Sequence, residues 1–303
     1  RYNGFVHNTV KEQLGVTPMA ASYTWSFTTF CPDAPVVSGT TPLSGATSVA
    51  VETSPVIVFS TAMASGTLTA SSMHIRISGS STDAPLNAVT TSSNLLAVEL
   101  DPTSNLAYST IFNVFLDATF TEQLGARTLA SYSWSFTTTD PTFTSIYNVT
   151  QTSTNYHNLD DSRFRVGFRV QAASTLIGHI PKKITIRMRK NNSPLSGVAN
   201  IVLHGSGSSI QTTFGQFNPA ELTTSFVDYS YTNLSASYAF QQNDRILVEW
   251  LSGDSSNTIR VAYNNTAPFI GAILTGYEGI TFSGASFVDT IGEDFTATVY
   301  ELS

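Results

Sequence analysis

Apolar and polar residues alternate with period two through most of this chain, the pattern of half-buried strands. Arg163-Phe164-Arg165-Val166-Gly167-Phe168-Arg169-Val170 and Lys183-Ile184-Thr185-Ile186-Arg187-Met188-Arg189 alternate strictly. Met73-His74-Ile75-Arg76-Ile77 and Leu96-Ala97-Val98-Glu99-Leu100 do the same, and Pro55-Val56-Ile57-Val58-Phe59-Ser60 reads as a short buried strand. Further strands are predicted at 199–203, 226–231, 245–250, 258–263 and 295–300, separated by turns such as Asn191-Asn192-Ser193-Pro194 and Ser252-Gly253-Asp254. The prediction is an all-β protein.

One alternating stretch occurs twice. Tyr23-Thr24-Trp25-Ser26-Phe27-Thr28-Thr29 returns as Tyr132-Ser133-Trp134-Ser135-Phe136-Thr137-Thr138, and Glu12-Gln13-Leu14-Gly15 returns as Glu122-Gln123-Leu124-Gly125. The offset is 110 residues upstream and 109 at the tryptophan, so one loop residue differs. A fixed period of this size marks tandem modules. In each copy Tyr, Trp and Phe share one face and Thr and Ser the other, which makes the stretch the last strand of a β-module. Residues 1–31 carry only the closing strands of such a module, whereas residues 32–139 carry a complete one. Two strands alone are marginal in water. The aromatic face of Tyr23, Trp25 and Phe27 therefore requires a cover, either from an earlier part of the module upstream or from another subunit whose incomplete fold these strands complete by strand addition. In the second case these three residues are the candidate subunit contact.

About seven short strands with frequent turns read as an immunoglobulin-like sandwich. Val37 followed by Pro42-Leu43-Ser44-Gly45-Ala46, then Ile57-Val58-Phe59-Ser60-Thr61-Ala62-Met63, Leu100-Asp101-Pro102 and Trp134-Ser135-Phe136-Thr137-Thr138 resemble the bacterial Ig-like domains of S-layer proteins and large surface adhesins. The resemblance covers residues 33–139 and the partial copy at 1–30, and it implies a spacer or assembly unit. From residue 140 to 303 the repeat disappears, and eight or so antiparallel strands suggest a jelly-roll β-sandwich. Leu176-Ile177-Gly178, Ile184-Thr185-Ile186, Phe214-Gly215 and Asn243-Asp244-Arg245-Ile246 resemble a jelly-roll module of archaeal and metagenomic surface proteins, which implies the fold alone.

Composition narrows the setting. Hydrophobic residues make up 41% of the 303, enough for packed cores, while charged residues make up only 12%, about half the usual share. Ser, Thr, Asn and Gly fill the surface instead, which suits an extracellular protein. A net charge of −7 gives no reason to expect nucleic acid. No stretch approaches the ~18 apolar residues of a membrane span. No secretory signal is visible, and Arg1-Tyr2-Asn3-Gly4 falls inside the repeat, so the sequence is expected to begin partway through a module. Cys31 is the only cysteine, which excludes an internal disulfide and a thiolate metal cluster.

Candidate chemistry lies in the last domain. Arg163, Arg165 and Arg169 share one strand face, and Lys183, Arg187 and Arg189 share another. If both strands lie in one sheet, its outer surface is a basic plate for acidic glycans or an acidic subunit, or a solvated face that discourages stacking. Asp160-Asp161 and Asp254 near Asn257 are candidate oxygen ligands for one structural calcium, without EF-hand spacing; no other cofactor is expected. The five histidines are too dispersed for zinc. Glu249 beside Trp250 evokes a sugar-site acid, but alternation puts them on opposite faces and no second carboxylate is marked, so no enzyme is expected. Sequons at Asn148, Asn191, Asn233 and Asn264 are candidate glycosylation sites.

The reading that absorbs these features is a structural, cell-surface protein: a subunit of a layer, sheath or filament whose partners are copies of itself. The alternative is a carbohydrate-binding or adhesive module that engages surface glycans, with Tyr229, Tyr231, Tyr238, Tyr263 and Tyr277 as a candidate platform.

Overall fold

The alternating segments become strands whose apolar sides meet across two separate sandwiches. The computed structural model describes residues 2–11, 15, 17–27, 33–123, 127–150, 155–192, 196–207, 209–254, 256–264, 279–283, 286–290 and 294–303. The chain forms two units, Arg1–Asp140 and Pro141–Ser303. Among the described residues two 3-10 turns, Ser65–Thr67 and Pro219–Glu221, are the only helical elements.

The first unit contains β1 (Tyr2–Val6), β2 (Tyr23–Phe27), β3 (Val37–Thr41), β4 (Ala46–Val49), β5 (Val56–Phe59), β6 (Met73–Ile77), β7 (Leu86–Thr91), β8 (Ala97–Pro102), β9 (Ile111–Leu116) and β10 (Tyr132–Thr138). Two four-stranded sheets, β3-β5-β8-β7 and β4-β10-β9-β6, face each other. With β3 and β5–β10 lettered A to G, they read A-B-E-D and C-F-G, the immunoglobulin order. β4 is added parallel to β10, with Ala46 opposite Phe136 and Val49 opposite Thr138. Alternation decides which side chains go inward: Ile57, Phe59, Val98 and Leu100 from one sheet meet Ile75, Phe112, Val114, Trp134 and Phe136 from the other, all buried. β1 and β2 form a two-stranded sheet of their own.

The second unit contains β11 (Phe143–Asn148), β12 (Tyr156–Leu159), β13 (Arg165–Arg169), β14 (Lys183–Asn191), β15 (Ala199–His204), β16 (Ile210–Phe217), β17 (Val227–Thr232), β18 (Arg245–Trp250), β19 (Thr258–Asn264), β20 (Gly279–Ser283), β21 (Ser286–Thr290), β22 (Asp294–Phe295) and β23 (Ala297–Leu302). Eight of these, β11, β13 to β18 and β23, build the jelly roll. Numbered one to eight in chain order, they pair as 1-8-3-6 in one sheet and 2-7-4-5 in the other. Early and late strands interleave in both sheets, as two Greek keys require. β19, β12 and β22 extend the first sheet and the β20-β21 hairpin extends the second. Between the sheets lie Val166, Phe168, Ile184, Ile186, Met188, Ile201, Leu203, Ile246, Val248 and Trp250, all buried.

This topology corrects the basic plate. β13 belongs to the second sheet and β14 to the first. Their apolar sides share one core, so their basic sides project from opposite outer faces. Arg163 precedes β13 in the loop.

Candidate assembly interface

The β1-β2 hairpin repeats the β9-β10 hairpin rung for rung. In β9-β10, Tyr132, Trp134 and Phe136 pair with Leu116, Val114 and Phe112. In β1-β2, Tyr23, Trp25 and Phe27 pair with Val6, Gly4 and Tyr2, each displaced by the repeat offset. The identity extends into the connection. Lys11 bridges Pro18 as Thr121 bridges Thr128, and Met19 N donates to Val10 O at 2.9 Å as Leu129 N donates to Phe120 O at 2.8 Å. The extra residue therefore lies between Met19 and Tyr23. Tyr23 and Trp25 stack at 5.9 Å between ring centroids, against 6.0 Å for Tyr132 and Trp134. One difference is local: the Trp25 indole lies against Gly4, where any Cβ would collide with it.

What differs is the cover. Trp134 is 4% exposed and Phe136 1%, sealed by the β3-β5-β8-β7 sheet, whereas Trp25 is 45% exposed and Phe27 52%. Val10 and Met19 are also exposed, although their counterparts Phe120 and Leu129 are buried. Sequence reasoning named the three aromatics and missed Val6, Val10 and Met19, which the 110-residue offset alone aligns with buried positions. Four of these exposed side chains, Val10, Met19, Trp25 and Phe27, stand at positions that the complete module buries.

The basic residues are engaged where they stand. Arg165 Nε pairs with Glu249 Oε1, and His204 Nε2 lies 3.0 Å from the same oxygen. Burial works to raise the Glu249 carboxyl, but His204 and Arg165 outweigh it and hold the group below its ordinary value. Arg169 Nη1 donates to Asn243 Oδ1 at 2.9 Å, and Arg163 Nη1 lies 3.4 Å from His157 Nδ1. On the opposite face Arg187 Nη1 donates to Asp228 at 3.0 Å. There Lys183 Nζ sits 5.2 Å from the Phe143 ring and 5.0 Å from Tyr300, while Arg189 lies over Tyr156 and Phe226 at 5.5 and 4.9 Å. Carboxylates and aromatic faces thus absorb much of the charge that the sequence pattern displays.

The acidic candidates serve turns. Asp160 Oδ1 accepts from Ser162 N, Ser162 Oγ and Arg163 N at 2.9, 2.7 and 3.0 Å. Asp254 Oδ1 accepts from Ser256 N and Asn257 N, both at 2.7 Å, and its Oδ2 accepts from Asn257 Nδ2 at 2.8 Å. The two turns are neighbours, since a Cβ on Gly253 would come within 2.8 Å of Asp160 Cα. Asp161 is exposed. Among the described residues no three His, Cys, Asp or Glu side chains converge as a metal cluster.

Trp250 is in the core and Glu249 faces away from it, as alternation predicts. Tyr229, Tyr231 and Tyr238 pack against the core, and Tyr263 stacks on His157 at 4.6 Å, so these rings are committed to packing. Asn233 Nδ2 donates to Thr213 O at 2.9 Å, Asn191 is partly buried, and Asn148 is exposed at the end of β11. Asn264 ends β19; Tyr277, Cys31, Ser193 and Thr266 lie outside the described residues.

Residues 32–138 match the model of the bacterial Ig-like domain family. The match spans the β3–β10 sandwich and agrees with the resemblance read from its motifs. No curated protein matches the chain. Among solved structures, the N-terminal part of the bacterial S-layer protein SbsC is 16% identical over 42% of this chain and 29% of its own, with a TM-score of 0.30. Domains 1–6 of surface layer protein SbsC are 11% identical over 87% of this chain and 41% of their own, TM-score 0.30. The Streptomyces avermitilis alpha-L-rhamnosidase is 8% identical over 85% and 24%, TM-score 0.21. The chain spans less than half the length of each, and likenesses at these scores carry no weight for role. No described helix is long and apolar enough to cross a membrane.

Proposed function

We propose that this chain is an extracellular structural protein of the cell surface, a subunit of a layer, sheath or filament assembled through β-sandwich modules. The observation that carries the reading is the repeat itself: the β1-β2 hairpin has the register of a closing strand pair one module ahead of the Ig-like sandwich, the mark of modules in tandem. A preformed hairpin of this kind meets a neighbouring β-sandwich without the ordering cost that a disordered tail would incur. The contact is hydrophobic, centred on Trp25, with Val6, Val10, Met19, Tyr23 and Phe27 around it. The Ig-like module and the low-charge surface fit the same setting, and copies of the chain are the expected partners.

Electron microscopy of the full chain across salt and calcium concentrations, beside the chain lacking residues 1–31, tests this. Ordered filaments or sheets that vanish with the deletion support the reading. Dispersed monomers under every condition, or assemblies indifferent to the deletion, sink it.

A further inference from the structure

A trough crosses the outer face of the jelly roll's first sheet. Strand register lines up Asn148, Thr298, Thr185 and Ser230 on β11, β23, β14 and β17, four short polar residues in one row. Thr298 Oγ1 donates to Asn148 Oδ1 at 3.0 Å, and the Thr185 and Ser230 hydroxyls lie 2.7 Å apart. The neighbouring row on one side holds Tyr300 and Lys183 and the row on the other holds Arg187 and Asp228, all taller. Those rows stand two residues from the middle one, so their backbones are about 13 Å apart. A low row between two high ones leaves a depression of about 310 Å³, lined in part by Asn148, Thr185, Arg187, Asp228, Thr298 and Tyr300.

Thr296 also lines it, 4% exposed, and its Oγ1 has no hydrogen-bond partner among the described residues. Buried hydroxyls are normally paired, so an orphan beside an open trough indicates a group that visits the trough. The remaining lining sorts ligands by chemistry. Arg187 is paired with Asp228, which leaves no net charge there, and Lys183 in the other flanking row lies over the Phe143 and Tyr300 rings, so neither row is built to clamp a phosphate or sulfate. The threonine row presents hydroxyls rather than the apolar wall that a lipid or aromatic ligand needs. Hydroxyls, an amide, a paired donor–acceptor fork and one phenol ring at the edge suit a chain of uncharged sugar rings.

We propose that this trough binds a neutral polysaccharide laid across the strands, its hydroxyls meeting Thr185, Thr296, Thr298 and the Arg187–Asp228 pair and one ring resting near Tyr300. The site is independent of the hairpin, so this inference and the assembly reading fail separately. Asn148 heads the Asn148-Val149-Thr150 sequon, and a glycan attached there would supply the same chemistry from a second source. We commit to the separate polysaccharide.

The test is titration calorimetry of the full chain, produced without glycosylation, against cellohexaose, chitohexaose, mannohexaose and, as an acidic control, trigalacturonate. At least one neutral hexasaccharide saturates, and trigalacturonate does not. Thr185→Tyr and Thr298→Tyr fill the trough from outward positions that tolerate aromatic residues, and each weakens binding roughly tenfold or more. Thr296→Val weakens binding without lowering the melting temperature, which separates a ligand contact from a structural role. Three results overturn the proposal: no neutral hexasaccharide saturates below about 10 mM; the tyrosine variants bind as the parent does while remaining folded; or native protein carries a glycan on Asn148 by mass and binds added sugar only once that glycan is removed.

Discussion

Replacing the same tryptophan in the two copies of the repeat should give opposite outcomes. Trp134 is 4% exposed in the Ig-like core, and truncating a buried tryptophan to alanine costs about 3–5 kcal/mol. For a module of this size that lowers its melting transition by roughly 15–30 °C, and it removes much of a total stability of about 5–15 kcal/mol. Trp25 occupies the equivalent rung but is 45% exposed, so Trp25→Ala should cost the isolated chain less than about 1 kcal/mol. Scanning calorimetry of dilute protein reads both. In the assembled state the order changes: a central aromatic anchor is worth about 2 kcal/mol or more, so Trp25→Ala should raise the critical concentration for assembly by roughly thirty-fold. Equal melting losses for the two variants would show that the hairpin is already sealed in the single chain. Unchanged assembly by Trp25→Ala would show that its apolar face contacts nothing.

Trp134→Phe should cost far less than Trp134→Ala, near 1 kcal/mol by urea unfolding, because the buried indole N–H has no partner among the described residues to lose. Glu249→Gln should destabilise the jelly roll by roughly 1–3 kcal/mol at pH 7, since it leaves Arg165 and His204 facing a neutral amide. The Glu249 carboxyl is depressed in the folded state, so its contribution is present above the unfolded carboxyl value of about 4.3. That contribution fades as pH falls through the lower folded value, and unfolding curves from pH 7 to 3 should therefore converge for parent and variant at the acid end. Calcium or a chelator should leave both thermal transitions within about 1 °C, because Asp160 Oδ1 and both Asp254 oxygens already accept from turn donors; a saturable upward shift with calcium would contradict that account.

Much of the fold was legible because period-two alternation is a local signal. β6, β8, β13 and β14 fall where alternating runs stand, and the aromatic repeat marked both closing hairpins. β16 escaped because its large apolar residues are only Ile210, Phe214 and Phe217, spaced by four and three rather than by two. β7 escaped as a mostly exposed edge strand with few apolar positions. The basic plate failed for a different reason. Alternation places Arg165 and Arg187 correctly on outward sides, but sheet membership is a long-range property. The connection from β13 to β14 crosses between sheets, and a polar turn reads the same whether the chain folds back or crosses over. The trough was hidden too, since its four-residue row exists only across strands 80 or more residues apart in places.

The parallel pairing of β4 with β10 bears on how the Ig-like module answers tension. β4 begins soon after the module's first strand and β10 ends it, so a pull on the two ends drives these strands past each other along their length. The contacts between them, Gly45 N to Ser135 O at 2.7 Å and Thr139 N to Val49 O at 2.8 Å, then lie across the direction of slip and must give way together, whereas a hairpin pulled open from one end loses its bonds singly. A module wired this way is predicted to resist stretching more than its modest size suggests. Single-molecule pulling would read that resistance as a force peak that Val49→Pro, which cannot hold its strand geometry beside β10, diminishes.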